Sequence, residues 1–224
     1  MLNIRPRFSL FVLLSQIVAL GTLVILPGAF AQQPPPPSGA YDAAPYLGQI
    51  RNNYVYGDIW ERPNLTKRDR SMITVAVNQA LYATNELRLH MGRALDNGIT
   101  QSELSEIIAH VLWYSGFPTG VNAARVASDV FAERNLPAIP PEASSRHAPQ
   151  QPELEFPDAY PQTPYLRDLL NEVLYAETWK RSELSPRDRS MITVAVGTAL
   201  YAGSEVRYHV GRALDNGVTQ DEIS

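Results

Sequence analysis

The amino-acid sequence predicts an all-helical protein made of two tandem copies of one helical unit, the second of them truncated. A shift of 119 positions aligns residues 45–105 with residues 164–224 without a gap, and 36 of the 61 aligned residues are identical. Between recognisable helix caps, apolar residues recur at the spacing of an amphipathic helix, and we find no convincing strand. The repeat and this spacing together predict a duplicated all-α chain.

The first two helices of each copy are predicted from caps and apolar content. Residues 46–60 form the first predicted helix, and Thr66-Lys-Arg-Asp69 has the pattern of a capping box that opens the second. In the second copy, Pro186 takes the favoured first position of the equivalent helix. Because residues 72–77 are nearly all apolar, we expect the second helix to be the buried centre of the unit.

Three more helices complete the first copy. The third should span residues 85–97 and end at Gly98, since glycine readily adopts the left-handed conformation that ends a helix. Thr100-x-x-Glu103 is a capping box for a fourth helix with an apolar stripe. Gly116 ends that helix, and a fifth follows to about residue 135.

The segments outside the copies are predicted to be a leader and two proline-rich spacers. Residues 1–31 combine a basic start with a long apolar run and an Ala-x-Ala site, as in a secretory signal peptide. The run is long enough that an uncleaved membrane anchor is the alternative. A proline-rich spacer at residues 32–44 and a proline-rich linker at residues 137–163 flank the first unit, residues 45–136. We therefore expect a secreted or periplasmic protein.

The second unit, residues 164–224, ends one turn into its fourth helix. The counterparts of the rest of that helix and of the fifth helix would follow Ser224. Either the sequence is part of a longer chain, which we expect, or another subunit supplies the missing cover.

Composition excludes several functional classes. The formal net charge is −4 and no run of lysine or arginine occurs, so we expect no nucleic-acid partner and, after signal cleavage, no membrane partner. Cysteine is absent, which excludes disulfides, thiolate metal sites and thiol-based redox chemistry. No group of histidines and carboxylates has metal-ligand spacing, so no metal site is predicted.

Five motifs of the first copy occur in a distinctive order. They are Arg68–Thr74, Glu86–His90, Ala94–Thr100, Glu106–His110 and Tyr114–Ala123. This ordered set resembles the carboxymuconolactone decarboxylase family, which is related to the alkyl hydroperoxidase D-like proteins. The resemblance implies two tandem alkyl hydroperoxidase D-like helical units and a closed homo-oligomer, such as a trimer or a hexamer-like ring. It also implies that no organic cofactor or metal is needed.

The peroxidase-type members of this wider group carry Cys-x-x-Cys followed by a histidine four residues later. Counting back from His90, these two cysteine positions hold Ala83 and Glu86. A carboxylate cannot perform thiol–disulfide exchange, so a thiol peroxidase is excluded.

The decarboxylase branch has Glu-x-x-x-His at this place, as this sequence does. Resemblance to it implies a cofactor-free lyase or isomerase that acts on a small carboxylated lactone or a related acid. Loss of carbon dioxide from 4-carboxymuconolactone needs a carboxylate-binding group, stabilisation of a dienolate-like charge and a proton donor. The alternative is a non-catalytic helical oligomerisation module with the same fold.

The polar face of the third helix is the candidate site. Glu86, His90, Arg93 and Asn97 are spaced for one helix face, and the second copy repeats all four. We interpret the glutamate and histidine as a catalytic acid–base pair in which the carboxylate raises the histidine pKa. The arginine and asparagine are the predicted substrate ligands. Ordinary salt links on a solvated or subunit-facing helix are the alternative. The residues of the second copy are Glu205, His209, Arg212 and Asn216.

Other residues are weaker candidates. Arg70 and Arg189 are secondary substrate-binding candidates, although pairing with nearby acids is the favoured interpretation, and Asp69 is interpreted as a capping and dipole residue. We interpret His110 as a structural histidine held by Glu106, four residues earlier. Packing is the predicted role of four aromatic residues: Trp60, Trp113, Tyr114 and Trp179.

Overall fold

The computed structural model describes residue 39, residues 41–140 and residues 160–224, so the predicted signal peptide and most of both proline-rich segments lie outside the described residues. All regular secondary structure in these ranges is helical, as the sequence predicted. No helix in them is long and apolar enough to cross a bilayer. The helices are α1 Pro45–Ile50, α2 Lys67–Ala80, α3 Thr84–Asp96, α4 Gln101–Ser115, α5 Phe117–Glu133, α6 Pro164–Asp168, α7 Pro186–Ala199, α8 Gly203–Asp215 and α9 Gln220–Ile223.

The first predicted helix, residues 46–60, is not one continuous α-helix. α1 passes into a π-helical turn at Arg51–Tyr56, and a separate 3₁₀ turn follows at Ile59–Glu61. The second copy repeats this with a π-helical turn at Leu169–Tyr175 and a 3₁₀ turn at Thr178–Lys180. In each copy the tyrosine that ends the π-helical turn contacts the tryptophan of the 3₁₀ turn. Apolar spacing therefore placed these residues in helical structure but did not predict the change in winding.

Side-chain caps begin the long helices where they were predicted. The Thr66 hydroxyl accepts a hydrogen bond from the Asp69 backbone N–H at 3.0 Å, but the Asp69 carboxylate binds Arg187 instead of returning to the Thr66 backbone. Thr66 is thus a simple N-cap and not a capping box. The reciprocal capping box is present at Thr100 and Glu103, at the start of α4.

The described residues of both copies belong to one compact unit. α2 and α7 lie against each other at its centre, and α4 of the first copy also contacts α7. Val75 of α2 and Val196 of α7 are fully buried in the same apolar cluster, which therefore runs across both copies. The predicted burial of the second helix is confirmed, and its apolar face joins the repeats.

Charged residues at the starts of α2 and α7 pair across the two copies. Arg68 Nη2 lies 3.0 Å from Asp188 Oδ2, and Arg187 Nη2 lies 3.2 Å from Asp69 Oδ2. Because each copy makes the same contact with the other, the copies are related by an approximate twofold axis. The role of Asp69 therefore goes beyond helix capping, since its buried carboxylate neutralises an arginine of the other copy.

Candidate functional site

The predicted glutamate–histidine pairs are not formed. Glu86 and Glu205 are exposed, and neither forms a hydrogen bond or an ion pair with another described residue. His90 is half-buried, whereas His209 is 3% exposed. The glutamates lie in the first turn of α3 and α8 and project to solvent, while the histidines one turn later face inward. An acid–base pair within one helix is therefore not the arrangement that the structure shows.

The asparagines that follow α3 and α8 are engaged by serines. Asn97 Nδ2 donates to the Ser71 hydroxyl at 2.8 Å, and Asn216 Nδ2 donates to the Ser190 hydroxyl at 2.9 Å. These bonds tie the end of one helix to the preceding long helix in each copy. One amide N–H of each asparagine is thus used within the fold, and the second N–H and the carbonyl oxygen are left for the predicted substrate contact.

The arginines of the predicted site lie against aromatic rings. Arg93 donates to the Tyr56 hydroxyl, and its guanidinium carbon lies 5.3 Å from the centre of that ring. The guanidinium carbon of Arg212 lies 5.6 Å from the Tyr175 ring centre and 5.7 Å from that of Trp179. Cation–π contacts therefore hold each guanidinium beside the π-helical turn of its own copy.

Arg189 is fully buried, and the first copy supplies its counter-ion. Its Nη2 donates to Glu106 Oε2 at 3.1 Å and to the backbone carbonyl of Arg181 at 3.0 Å. Its Nε and Nη1 are buried without a hydrogen-bond partner. Burial is also the main cause that lowers the pKa of Arg189. Because buried unsatisfied donors are costly, these two N–H groups are suited to a carboxylate ligand.

Glu106 of α4 joins the two copies at this place. Arg181 Nε donates to both of its carboxylate oxygens, at 2.8 and 2.9 Å, Arg181 Nη2 lies 2.6 Å from Oε1, and Arg189 adds a further contact. Glu183 lies 3.9 Å from Arg181, so the four groups balance in charge. Attraction for an anion must therefore come from the unsatisfied donors of Arg189. The prediction that Glu106 holds His110 is wrong, because arginines of the second copy engage this carboxylate.

Four rings from both copies form what we call the interface cluster. His110 Nε2 lies 2.8 Å from Thr193 Oγ1, and Trp179 Nε1 donates to the Tyr114 hydroxyl at 3.1 Å. His209 stacks on Trp179 with ring centres 6.3 Å apart and meets Tyr114 edge-on at 5.3 Å. The sequence therefore did not show that two histidines and a tyrosine hydroxyl meet at the boundary between the copies. The members of the interface cluster are His110, Tyr114, Trp179 and His209.

Burial keeps the histidines of both copies neutral. It lowers the pKa of His209 to about 4 and that of His110 well below its usual value, with Arg189 and His209 adding to the effect on His110. Burial, followed by the charge of Arg93, lowers the pKa of His90 to about 4 and outweighs the opposing effect of Glu86. Glu86 thus acts in the predicted direction, but desolvation dominates, so the net pKa of His90 is lowered and not raised.

We expect the stability of the fold to decrease as the pH falls from about 6.5 to about 4. In this range the histidines of the unfolded chain bind protons, whereas His90 and His209 in the folded chain, with pKa values of about 4, do not. Urea unfolding across this range measures the effect. Carboxylates also titrate near pH 4, so the control is His209→Gln, which should show a shallower pH dependence. An unchanged dependence in this variant would contradict the proposed cause.

The residues of the first copy that reach the second-copy site were not recognised from the sequence. Glu106, His110 and Tyr114 are spaced four residues apart and therefore share one face of α4. That spacing of polar residues beside an apolar stripe is the signal that could have indicated a second contact surface. The spacing could not have identified the arginines and aromatic rings of the second copy that α4 contacts.

The fold and the site together define a class of protein: a duplicated all-helical chain without cysteine, in which residues of both copies meet around buried histidines and arginines. The model of the carboxymuconolactone decarboxylase family matches residues 45–129 and 164–224. The chain belongs to the carboxymuconolactone decarboxylase family, as its ordered motifs indicated.

Two curated relatives are decarboxylases by name. Over 85 residues the chain is 38% identical to the 4-carboxymuconolactone decarboxylase of Acinetobacter baylyi (strain ATCC 33305 / BD413 / ADP1), a match that covers 38% of this chain and 63% of the relative. Over 75 residues it is 32% identical to the nitrosuccinic acid decarboxylase of Metarhizium robertsii (strain ARSEF 23 / ATCC MYA-3075), covering 34% of this chain and 52% of the relative. The chain thus spans less than two thirds of the length of either relative.

Proposed function

We propose that the protein is a carboxy-lyase that removes one carboxyl group from a small acid, at the site between its two copies. The support comes from its family, from two relatives named as decarboxylases, and above all from Arg189. A fully buried guanidinium with two unpartnered N–H groups is an observation that a purely structural arginine does not explain. It fits a ligand that brings a carboxylate into the site.

We assign to Arg189 the binding of a carboxylate that stays on the substrate throughout the reaction. Ionic stabilisation of the leaving carboxylate would favour the ground state over the transition state and would slow the reaction. The substrate is therefore a small acid with at least two acidic groups, one bound and one lost. This chemistry accommodates both a carboxylated lactone and a nitro-substituted dicarboxylic acid.

The interface cluster is assigned to charge stabilisation and proton delivery. During the reaction the bond between the carboxyl carbon and its neighbour breaks, the electron pair moves into an electron-withdrawing group of the substrate, and carbon dioxide leaves. His209 and His110 are neutral, so their N–H groups can donate hydrogen bonds to the developing negative charge. Water supplies the proton that forms the new C–H bond, and a neutral imidazole of the cluster relays it by donating its N–H proton while its other ring nitrogen accepts one from water.

An ultraviolet assay with 4-carboxymuconolactone and with nitrosuccinic acid tests the proposal through a matched pair of variants. Arg189→Met should raise KM by about 10- to 100-fold, because charge-assisted hydrogen bonds contribute roughly 1.5–3 kcal/mol. Arg70→Met, at the equivalent position of the first copy, should leave KM within about twofold, a difference too small to represent a lost hydrogen bond. Circular dichroism verifies that both variants fold. Equal KM values in the two variants, or no turnover of either substrate by the parent chain, would argue against the proposal.

A second candidate is a non-catalytic helical oligomerisation module. The close packing of the interface cluster favours it, since His110 is fully buried and His209 nearly so. Two grooves formed by the described residues are also not lined by either histidine. A module of this kind would bind no dicarboxylate at Arg189, which distinguishes it from the lyase in the same variants.

A further inference from the structure

The hydroxyl of Thr193 lies between the backbone of its own helix and a histidine of the other copy. Thr193 belongs to α7 and is 2% exposed, and its Oγ1 donates to the Arg189 carbonyl one turn earlier at 2.7 Å. The same oxygen lies 2.8 Å from Nε2 of His110, which is fully buried on α4 of the first copy. Both contacts are therefore short hydrogen bonds at the boundary between the copies.

These two contacts determine which ring nitrogen of His110 carries the proton. A hydroxyl has one proton to donate, whereas a carbonyl oxygen can only accept. Because the proton of Thr193 is used on the Arg189 carbonyl, the bond between Thr193 and His110 takes its proton from Nε2 of the ring. Since the buried His110 is neutral, a proton on Nε2 leaves Nδ1 with a lone pair.

The surroundings of Nδ1 support the same tautomer. His110 Nδ1 is buried and has no hydrogen-bond partner among the described residues. A proton on Nδ1 would bury an N–H group without an acceptor, and such orphaned donors are rarer in folded proteins than under-satisfied acceptors. The arrangement with a lone pair at Nδ1 therefore has the lower free energy.

The other donors of the interface cluster are engaged as well. The Tyr114 hydroxyl accepts from Trp179 Nε1 at 3.1 Å and also forms a hydrogen bond with Thr193. Because the Thr193 proton is already used, Tyr114 is the donor in this second bond. His209, in contrast, forms no hydrogen bond with another described residue. Of the two neutral histidines, His209 is therefore the one whose ring N–H has no acceptor within the described fold.

We infer that Thr193 is a positioning residue that fixes His110 as the Nε2–H tautomer and thereby divides the roles of the two buried histidines. His110 presents the Nδ1 lone pair and accepts a hydrogen bond from the water that supplies the proton. His209 donates its N–H to the developing negative charge and relays the proton. The tautomer of His110 does not depend on the lyase activity, whereas this division of roles rests on the function proposed above.

The first copy provides a matched control for the Thr193 hydroxyl. Thr74 is the equivalent residue, and its Oγ1 donates to the Arg70 carbonyl at 2.7 Å, as Thr193 does to Arg189. Within the described ranges, no histidine forms a hydrogen bond with Thr74. Valine at either position therefore removes the same bond within the helix, but only Thr193→Val also removes a bond to a histidine.

Proton–nitrogen-15 correlation NMR of the 224-residue chain, with labelled histidine, shows which ring nitrogen of His110 carries the proton. We expect the Nε2–H tautomer alone, with an N–H proton that exchanges slowly with water because it is buried and hydrogen-bonded. Thr193→Ser and Thr74→Val should keep both properties, whereas Thr193→Val should speed the exchange and mix the tautomers. A proton on Nδ1 in the parent chain would overturn the proposal, as would a His110 signal that Thr193→Val leaves unchanged.

Steady-state kinetics with the same variants tests the division of roles. Thr193→Val should lower kcat by about 3- to 10-fold, the effect of losing one neutral hydrogen bond. It should leave KM within about twofold, because the donors of Arg189 remain. Thr193→Ser should restore kcat, and Thr74→Val should not change it. An equal loss of kcat in Thr74→Val would overturn the division of roles. An Nε2–H tautomer in a chain that turns over neither substrate would support the positioning by Thr193 and refute only the lyase.

Discussion

Replacing Glu106 by alanine is expected to lower the free energy of unfolding by about 3–5 kcal/mol, the usual cost of removing one partner of a buried ion pair. The substitution leaves Arg189, which is fully buried, and Arg181, whose side chain is 10% exposed, without their shared carboxylate. Because the carboxylate comes from the first copy and both arginines come from the second, the loss should weaken the contact between copies. Urea unfolding followed by circular dichroism measures the change in the free energy of unfolding.

Two further variants separate this cause from a general sensitivity to mutation. Asp129 forms an exposed ion pair with Arg88, and Asp129→Ala should cost no more than about 1 kcal/mol. In the Glu106→Ala background, Arg181→Met should restore part of the lost stability, because only Glu183 then remains beside the two arginines and the substitution removes one of their positive charges. A loss for Glu106→Ala no larger than that for Asp129→Ala would mean that the buried pairing does not stabilise the fold.

Replacing His209 by glutamine is expected to reduce kcat for decarboxylation by about 100-fold or more, within the range for loss of a group that transfers a proton in the transition state. His209 contacts Tyr114 and Trp179 and lies close enough to His110 to lower the pKa of that histidine. It therefore belongs to the interface cluster, to which proton delivery is assigned. Steady-state kinetics on the substrate that the parent chain turns over best measures the effect.

His90→Gln is the matched control, because His90 occupies the equivalent position of the first copy. The part of the chain that the structure describes contains no helix like α4 beside His90, so this variant should keep most of the activity. A similar loss of kcat in the two variants would show that the two copies act equally. A loss confined to His90→Gln would place the reaction in the first copy and contradict our assignment.

The fold was predictable because its determinants are local. The capping box at Thr100, the left-handed Gly98 and the apolar run at residues 72–77 each act within a few residues, and the structure confirms all three. The break in the first helix was not predictable in this way. Its π-helical turn and its 3₁₀ turn both follow a sequence whose apolar spacing suits an ordinary helix.

The site was predictable only in part, because it depends on how the copies pack. Repetition between copies indicated His209 and Arg189 as candidates, and the structure brings both to the boundary between the copies. The same repetition indicated Glu86, whose side chain is exposed. Glu106 could not be assigned from sequence, since its partners lie 75 and 83 positions away in the other copy.

The protonation of the histidines also depended on tertiary structure. A glutamate four residues before a histidine suggests a raised pKa when the helix is considered alone. In the folded chain the histidine is desolvated and the glutamate is not, so the pKa of His90 falls to about 4 instead. Burial of this kind is set by neighbouring helices, which no local pattern specifies.

The central claim is that residues of both copies form one carboxylate-binding site. NMR titration of the 224-residue chain with succinate, using nitrogen-15 labels in arginine and histidine side chains, tests it most directly. Our account predicts that the Arg189 Nε–H, His110 and His209 resonances shift together with one dissociation constant, and that Arg70 and His90 do not respond. Shifts confined to Arg70 and His90, or no saturable shift at Arg189, would contradict it.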